Sequence, residues 1–440
     1  MTQTYDTILR GGTLVNHAGI GQGDIGIVNG RIAFMGDLAQ ASAGKTEDCR
    51  GLHILPGVID TQVHFREPGA THKEDLETGS RAAIMGGVTA VFEMPNTSPL
   101  TTNAETLADK VLRARHRMHC DFAFWVGGTR ENVADIPDLE RLPGAAGIKV
   151  FMGSSTGSLL VEDDAGVAAI LAKTRRRAAF HSEDEFRLRQ RLGLRVAGDP
   201  ASHPVWRDAM AALASTQRLI AIAQAARAKV HVLHISTAEE IAFLQHHKNI
   251  ASCEVTPHHL TLCADDYARL GTRMQMNPPV RDNYHRAAIW TGVAQGVADI
   301  LGSDHAPHTL EEKARPYPDS PSGMTGVQTL VPIMLDHVQA GRMSLQRFID
   351  MTSAGPARLF QIAGKGRMAA GFDADLTICD LKQVKTIRNS WIASRCGWTP
   401  YDGTTVTGWP VGTYVRGRRV MWQGELLEAA VGQAVRFMDA

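Results

Sequence analysis

The sequence predicts an α/β protein, a (β/α)8 TIM-type barrel joined to a small β-sandwich domain formed from the N- and C-terminal segments. Three observations lead there. Apolar strand-like runs alternate with amphipathic helical stretches through the middle of the chain, the pattern of repeated βα units around a parallel sheet. Eight such runs can be placed, a number that suits closure into a barrel. Both chain ends instead carry short β segments punctuated by glycine turns.

In chain order, β segments are expected at 7–10, 24–28 and 31–34, and again at 374–379 and 412–417. They read as small antiparallel sheets whose shared style suggests that the two ends pack together. The expected division is therefore a composite β domain, 1–55 with 366–440, around a barrel at 56–365. Barrel strands are expected to end at His64, Asn96, Gly127, Met152, His181, Ser236, Thr256 and Asp304. Helices are expected at 75–85, 104–117, 166–176, 209–226 and 238–246.

Composition narrows the function. A chain of 440 residues exceeds one ordinary domain of about 100–200 residues. Apolar residues make up 44% and charged residues 21%, as expected of a globular core. Lys+Arg and Asp+Glu are both 46, so no net field draws the chain to nucleic acid or a membrane surface, and a small-molecule partner is expected. The six cysteines are scattered, which points to free thiols and a reducing compartment. With no signal-peptide pattern and no apolar run of spanning length, a cytoplasmic protein is expected.

In such barrels the chemistry sits at the C-terminal ends of the strands. There the sequence places His64, His181, His234 and Asp304, with Lys149 inside the fourth strand. Singly, each has a plain structural reading, since the chain holds 18 histidines. Together they offer imidazole and carboxylate on one face, the ligands that borderline metals such as zinc take. Lys149, flanked by Ile148, Val150 and Phe151, would bury an ammonium at considerable cost. Either its head snorkels into the barrel mouth, or the amine is neutral and takes up carbon dioxide as a carbamate.

Here a resemblance enters. PGVID (56–60) with HFREPG (64–69), GVTAV (87–91), MPNT (94–97), CEVTPHHL (253–260), MNPPVR (276–281) and SDHAPH (303–308) resemble, in order, the motifs of the dihydroorotases among the cyclic amidohydrolases. The resemblance implies hydrolysis of a cyclic amide by metal-activated water. It implies His64, His181 and His234 as ligands, Lys149 as a carboxylated bridging ligand, and Asp304 as ligand and proton shuttle. Arg66, Asn96, Asn277 and His308 match substrate-contacting positions, Arg66 as a fork for a carboxylate. His258 and His259, if extended, would point to opposite sides and read as structural.

One position departs from the pattern. Where the family carries His-x-His at the first strand's end, this chain has Gln62. An amide oxygen is a poor zinc ligand, so one Zn2+ per chain is expected and the second position is weakened. The alternatives are hydrolysis of another cyclic amide (hydantoin, allantoin or dihydropyrimidine) and an inactive structural partner of aspartate transcarbamoylase. A homo-oligomer is expected. GQGDIG (21–26) fits a dinucleotide motif but is read as a turn, because β segments follow it. GSSTG (153–157) fits a serine-nucleophile motif but leaves Lys149 and the histidines unexplained. The stretch 309–325 reads as a mobile lid or a surface loop.

Overall fold

The computed structural model describes residues 4–155, 159–427 and 429–438. The N-terminal segment forms β1 (Thr4–Asn16), β2 (Gly19–Val28), β3 (Arg31–Gly36), β4 (Ser42–Asp48) and β5 (His53–Pro56). The barrel strands follow: β6 (Val58–Val63), β7 (Val88–Glu93), β8 (Asp121–Gly127), β9 (Ala145–Phe151), β10 (Ala178–His181), β11 (Val230–Val232), β12 (Ala251–Val255) and β13 (Ile300–Leu301). The C-terminal segment adds β14 (Leu376–Thr386), β15 (Thr405–Val415), β16 (Arg418–Trp422) and β17 (Glu425–Leu426).

Strands β6 to β13 pair in sequence order, all parallel. A parallel bridge between Val63 and His305, with the His64 amide donating to the His305 carbonyl at 2.7 Å, brings the last strand's exit back to the first. Residues alternate between two apolar clusters, as a barrel wall requires. Ile59, Ala90, Phe92, Trp125, Ala146 and Ala179 face one another with Phe360. Their neighbours Val58, Val91, Phe124, Ala145 and Phe180 join the larger cluster that the helices cover. Phe360 packs on Phe92 and Trp125 (centroids 5.9 and 5.4 Å apart), so the interior is solid and any site must lie at a rim.

Helix starts follow local chemistry. Asp75 and Thr78 form a reciprocal capping box at Leu76–Met85, and Asn103 and Thr106 do the same at Ala104–Ala114. Asp208 caps Ala209–Ala226, whose end is marked by Arg227 in the left-handed region. Two helices without a sequence expectation, Asn283–Ala294 and Leu330–Gln339, complete the covering layer.

The chain ends form one hydrogen-bonded sheet in the order β17-β16-β15-β14-β5-β1-β2-β3, with β4 also on β1. The antiparallel β14–β5 pair stitches the C-terminal half to the N-terminal half. Two pairings, β1–β4 and β1–β5, are parallel where antiparallel sheets were expected. The GQGDIG stretch is not a turn: it lies within β2, with Gly21 opposite Leu14 and Gly23 opposite Gly12. The stretch 309–325 is packed down. Thr309 caps Leu310–Lys313, Lys313 is buried and donates to the Pro321 carbonyl at 2.8 Å, and the buried Tyr317 hydroxyl accepts from Trp206 Nε1 at 2.6 Å. All six cysteines are free, and five are buried. Among the described residues no helix is long and apolar enough to cross a membrane.

Candidate active site

Gln62, His64, Arg66, Lys149, His181, His234, Asn277 and Asp304 line one cavity of about 370 Å³ at the C-terminal rim of the barrel, whose wall also includes Phe151, Ser155, Met276 and Gly323. Several of these side chains sit beyond the strands proper, because β7, β11 and β13 stop at Glu93, Val232 and Leu301 rather than at Asn96, Ser236 and Asp304. The backbone is bent to aim them: Arg66, His234 and Asp304 have φ of 62°, 40° and 46°. Non-glycine residues adopt this left-handed region rarely and at a cost, and such residues cluster at functional sites.

The side chains fall into two acceptor-rich pairs. His64 Nδ1 lies 2.9 Å from Asn96 Oδ1, and His64 Nε2 lies 3.3 Å from Asp304 Oδ1. Burial holds His64 below the ordinary imidazole range, so the ring is neutral and its one proton goes to Asn96. Its Nε2 lone pair then faces the Asp304 carboxylate. Two acceptors facing each other across this distance call for a cation.

In the second pair, His181 Nε2 lies 3.0 Å from Glu183 Oε2, and His181 Nδ1 lies 3.0 Å from His234 Nε2. Both rings are held neutral by burial. Glu183 takes the His181 Nε2 proton, which leaves the Nδ1 lone pair directed at His234. A carboxylate orienting an imidazole in this way is the usual outer support of a metal ligand. Glu183 is ionised because the buried Arg207 guanidinium pairs with it, Arg207 Nε lying 3.2 Å from Glu183 Oε1. His234 Nδ1 is buried without a hydrogen-bond partner.

Lys149 is 1% exposed, and its Nζ has no hydrogen-bond partner. The amine lies 4.3 Å from the centre of the Phe151 ring, and burial drives its pKa well below the ordinary lysine value. Burial therefore favours the neutral amine. The snorkelling alternative does not hold, because the head is as buried as the stem. Gln62 Oε1 also lacks a partner.

The remaining expected residues divide. Asn277 lines the cavity, and its Oδ1 accepts from His203 Nε2 at 2.9 Å. Arg66, 5% exposed, donates from Nε to the Pro307 carbonyl at 3.1 Å and presents its guanidinium in the wall. Asn96 and His308 are not in the cavity lining: Asn96 braces His64, and His308 stands behind Arg66 with its Nε2 3.2 Å from Arg66 Nη2. His258 and His259 are not extended but share the short helix Pro257–Thr261, where His259 is tied to Thr256 and to the Pro278 and Pro279 carbonyls. Of the GSSTG stretch, Ser155 lines the cavity, while Thr156 and Gly157 lie outside the described residues.

The chain has known relatives. Residues 53–420 match the amidohydrolase family over most of the chain. The chain belongs to that family. It is 36% identical over 432 residues to a dihydroorotase of Methanosarcina mazei, with 94% of each chain covered. It is 38% identical over 391 residues to a dihydroorotase of Halobacterium salinarum, covering 87% of this chain and 89% of that one. Among solved structures, an L-hydantoinase from Arthrobacter aurescens matches with a TM-score of 0.94 at 31% identity, covering 98% of this chain and 99% of that chain.

In this amidohydrolase, sequence reasoning missed Glu183 and Arg207. Glu183 follows His181 by two positions, a spacing that could have marked it. Arg207 lies 24 residues further on and carries no local signal. Among the described residues no group of three or more His, Cys, Asp or Glu side chains is arranged to hold a metal by itself.

Proposed function

We propose that this chain is a dihydroorotase, a cyclic amidase that reversibly hydrolyses (S)-dihydroorotate to N-carbamoyl-L-aspartate in pyrimidine biosynthesis. The observation that carries the reading is the partnerless, buried Lys149 amine in one cavity with the His64–Asp304 and His181–His234 pairs. Carboxylation of Nζ forms an N–C bond to carbon dioxide with loss of one proton, converting a buried base into an anionic oxygen donor. Lys149, His181, His234, His64 and Asp304 then fit zinc in donor type, and Gln62 weakens the position nearest His64.

When bound, zinc supplies Lewis-acid polarisation of the ring carbonyl and activation of water. The ionised Asp304 is the base that takes the proton from the attacking water and returns it to the ring nitrogen as the C–N bond breaks. Glu183 and Asn96 hold the His181 and His64 rings in the tautomers that keep their lone pairs on the cavity. Arg66 forks onto the substrate carboxylate and Asn277 donates to a ring carbonyl. The same reading takes the chain as cytoplasmic and self-associating, with 1–55 and 366–440 as the composite domain around the 56–365 barrel; a transcarbamoylase is the protein partner to test.

Hydantoinases share the fold, but a hydantoin carries no carboxylate for Arg66. The test is kcat/KM of the zinc-loaded protein on dihydroorotate and on a 5-substituted hydantoin. Dihydroorotate is expected to be preferred by at least 100-fold, about 2.7 kcal/mol of transition-state discrimination. A preference for the hydantoin sinks the assignment.

A further inference from the structure

Behind Arg66 lies a chain of buried polar contacts that the catalytic reading does not use. His308 is 1% exposed, and its two ring nitrogens each meet a cation. Nε2 lies 3.2 Å from Arg66 Nη2 and 3.0 Å from the Ser322 carbonyl, while Nδ1 lies 3.1 Å from Lys73 Nζ. Lys73 Nζ in turn sits 3.0 Å from Glu312 Oε1, an ion pair that holds the side chain in place. Gly323 lies directly against the ring, and a Cβ added there would come within 2.9 Å of its Nε2 and 2.3 Å of the Ala306 carbonyl oxygen.

Burial and the adjacent Arg66 guanidinium push the His308 pKa down to about 3, so the ring is neutral and carries one proton. The two placements of that proton are not equivalent: Nε2–H serves both Lys73 and the Ser322 carbonyl, whereas Nδ1–H serves Arg66 alone. Lys73 has donors and no acceptor, so Nδ1 must be the accepting nitrogen. Nε2 then carries the proton and donates to the Ser322 carbonyl. With its lone pair gone, Nε2 cannot accept from Arg66. The opposite tautomer would aim an Nδ1–H at an ammonium, and the nearest alternative acceptor, Glu312 Oε2, is 3.7 Å away.

We propose that Lys73 is a positioning residue for anion recognition: by donating to His308 Nδ1 it fixes the Nε2–H tautomer and so leaves Arg66 Nη2 open to a substrate carboxylate. Without Lys73 the ring re-protonates on Nδ1, its Nε2 lone pair accepts from Arg66 Nη2, and the guanidinium is spent inside the protein. The inference rests on the reading of Arg66 as the carboxylate fork. It assigns to Lys73 a control over ground-state binding rather than over the chemical step.

The test uses zinc-loaded, ¹⁵N-histidine-labelled wild type, Lys73→Met and Lys73→Arg. Long-range ¹H–¹⁵N correlation spectra report the His308 tautomer, with the resonance assigned by its loss in His308→Asn. The expected result is Nε2–H in wild type and Lys73→Arg, and Nδ1–H in Lys73→Met. Kinetically, Lys73→Met should raise KM for dihydroorotate about tenfold with kcat within about twofold, the signature of lost uniform binding, and Lys73→Arg should restore it. Nδ1–H in wild type overturns the proposal, as does an unchanged tautomer or an unchanged KM in Lys73→Met. If wild type turns over no dihydroorotate, the functional reading fails, while the tautomer spectra still decide whether Lys73 sets the ring.

Discussion

Replacing Glu183 by glutamine separates its two jobs. The carboxylate accepts His181 Nε2–H at 3.0 Å and pairs with Arg207, and both side chains of that ion pair are buried, at 0% and 3% exposure. Glutamine keeps the shape and one acceptor oxygen but removes the charge. Breaking a buried ion pair on one side typically costs 3–5 kcal/mol, because the other charge stays buried. Here Arg207 keeps its bond to the Ser154 carbonyl at 2.8 Å and its place over the Trp206 ring at 5.1 Å, so the low end, about 3 kcal/mol, is expected. Urea unfolding of metal-free protein measures this directly. Zinc affinity should fall about 10–100-fold, the usual effect of losing the carboxylate behind a ligating imidazole. Adding Arg207→Met removes the stranded charge, so the double variant should recover most of the stability but none of the zinc affinity. A loss below about 1 kcal/mol in Glu183→Gln, or zinc affinity within twofold of wild type, refutes the reasoning.

Three further outcomes are expected. Lys149→Met removes a buried, partnerless amine, so metal-free protein should gain about 1–2 kcal/mol in urea unfolding while dihydroorotate turnover disappears. Gln62→His should raise bound zinc from one to two per chain by elemental analysis, as an imidazole replaces an amide. Burial raises the Glu240 carboxyl to about 7 against opposing hydrogen bonds from Thr237 and Thr216. A folded-state pKa above the unfolded one stabilises at low pH and is lost as pH rises through the folded value, so this group's contribution, about 3 kcal/mol, is present below pH 4.5 and gone above pH 7. Unfolding free energies from pH 4.5 to 8 should show that decline in wild type and not in Glu240→Gln.

The barrel was legible because its strands are buried on both faces and separated by capped amphipathic helices, signals that lie within short windows. The reactive face was legible because His64, Lys149 and His181 fall at or near strand ends. What escaped was the geometry past those ends. Asn96, Ser236 and Asp304 were expected as strand termini, yet the strands stop three or four residues earlier, and positive φ at Arg66, His234 and Asp304 turns the chain into the cavity. Partnerships across sequence were also invisible. Lys73 meets His308 at a separation of 235 residues, and nothing local to either predicts the contact. Asn96 matched a substrate-contacting position by motif, but its bond to His64 is visible only in three dimensions. The glycines of 21–26 were read as a turn because glycine marks turns more often than strands, whereas pairing with β1 holds them extended.

The most direct test of the central claim is dihydroorotate turnover by the metal-free protein as zinc and bicarbonate are added back separately and together. Lys149 as a carboxylated donor predicts that neither addition alone restores activity and that both together do, with one zinc bound per chain. Full activity with zinc in carbon-dioxide-free buffer would contradict the role of Lys149, and no turnover in either direction with both present would contradict the assignment itself.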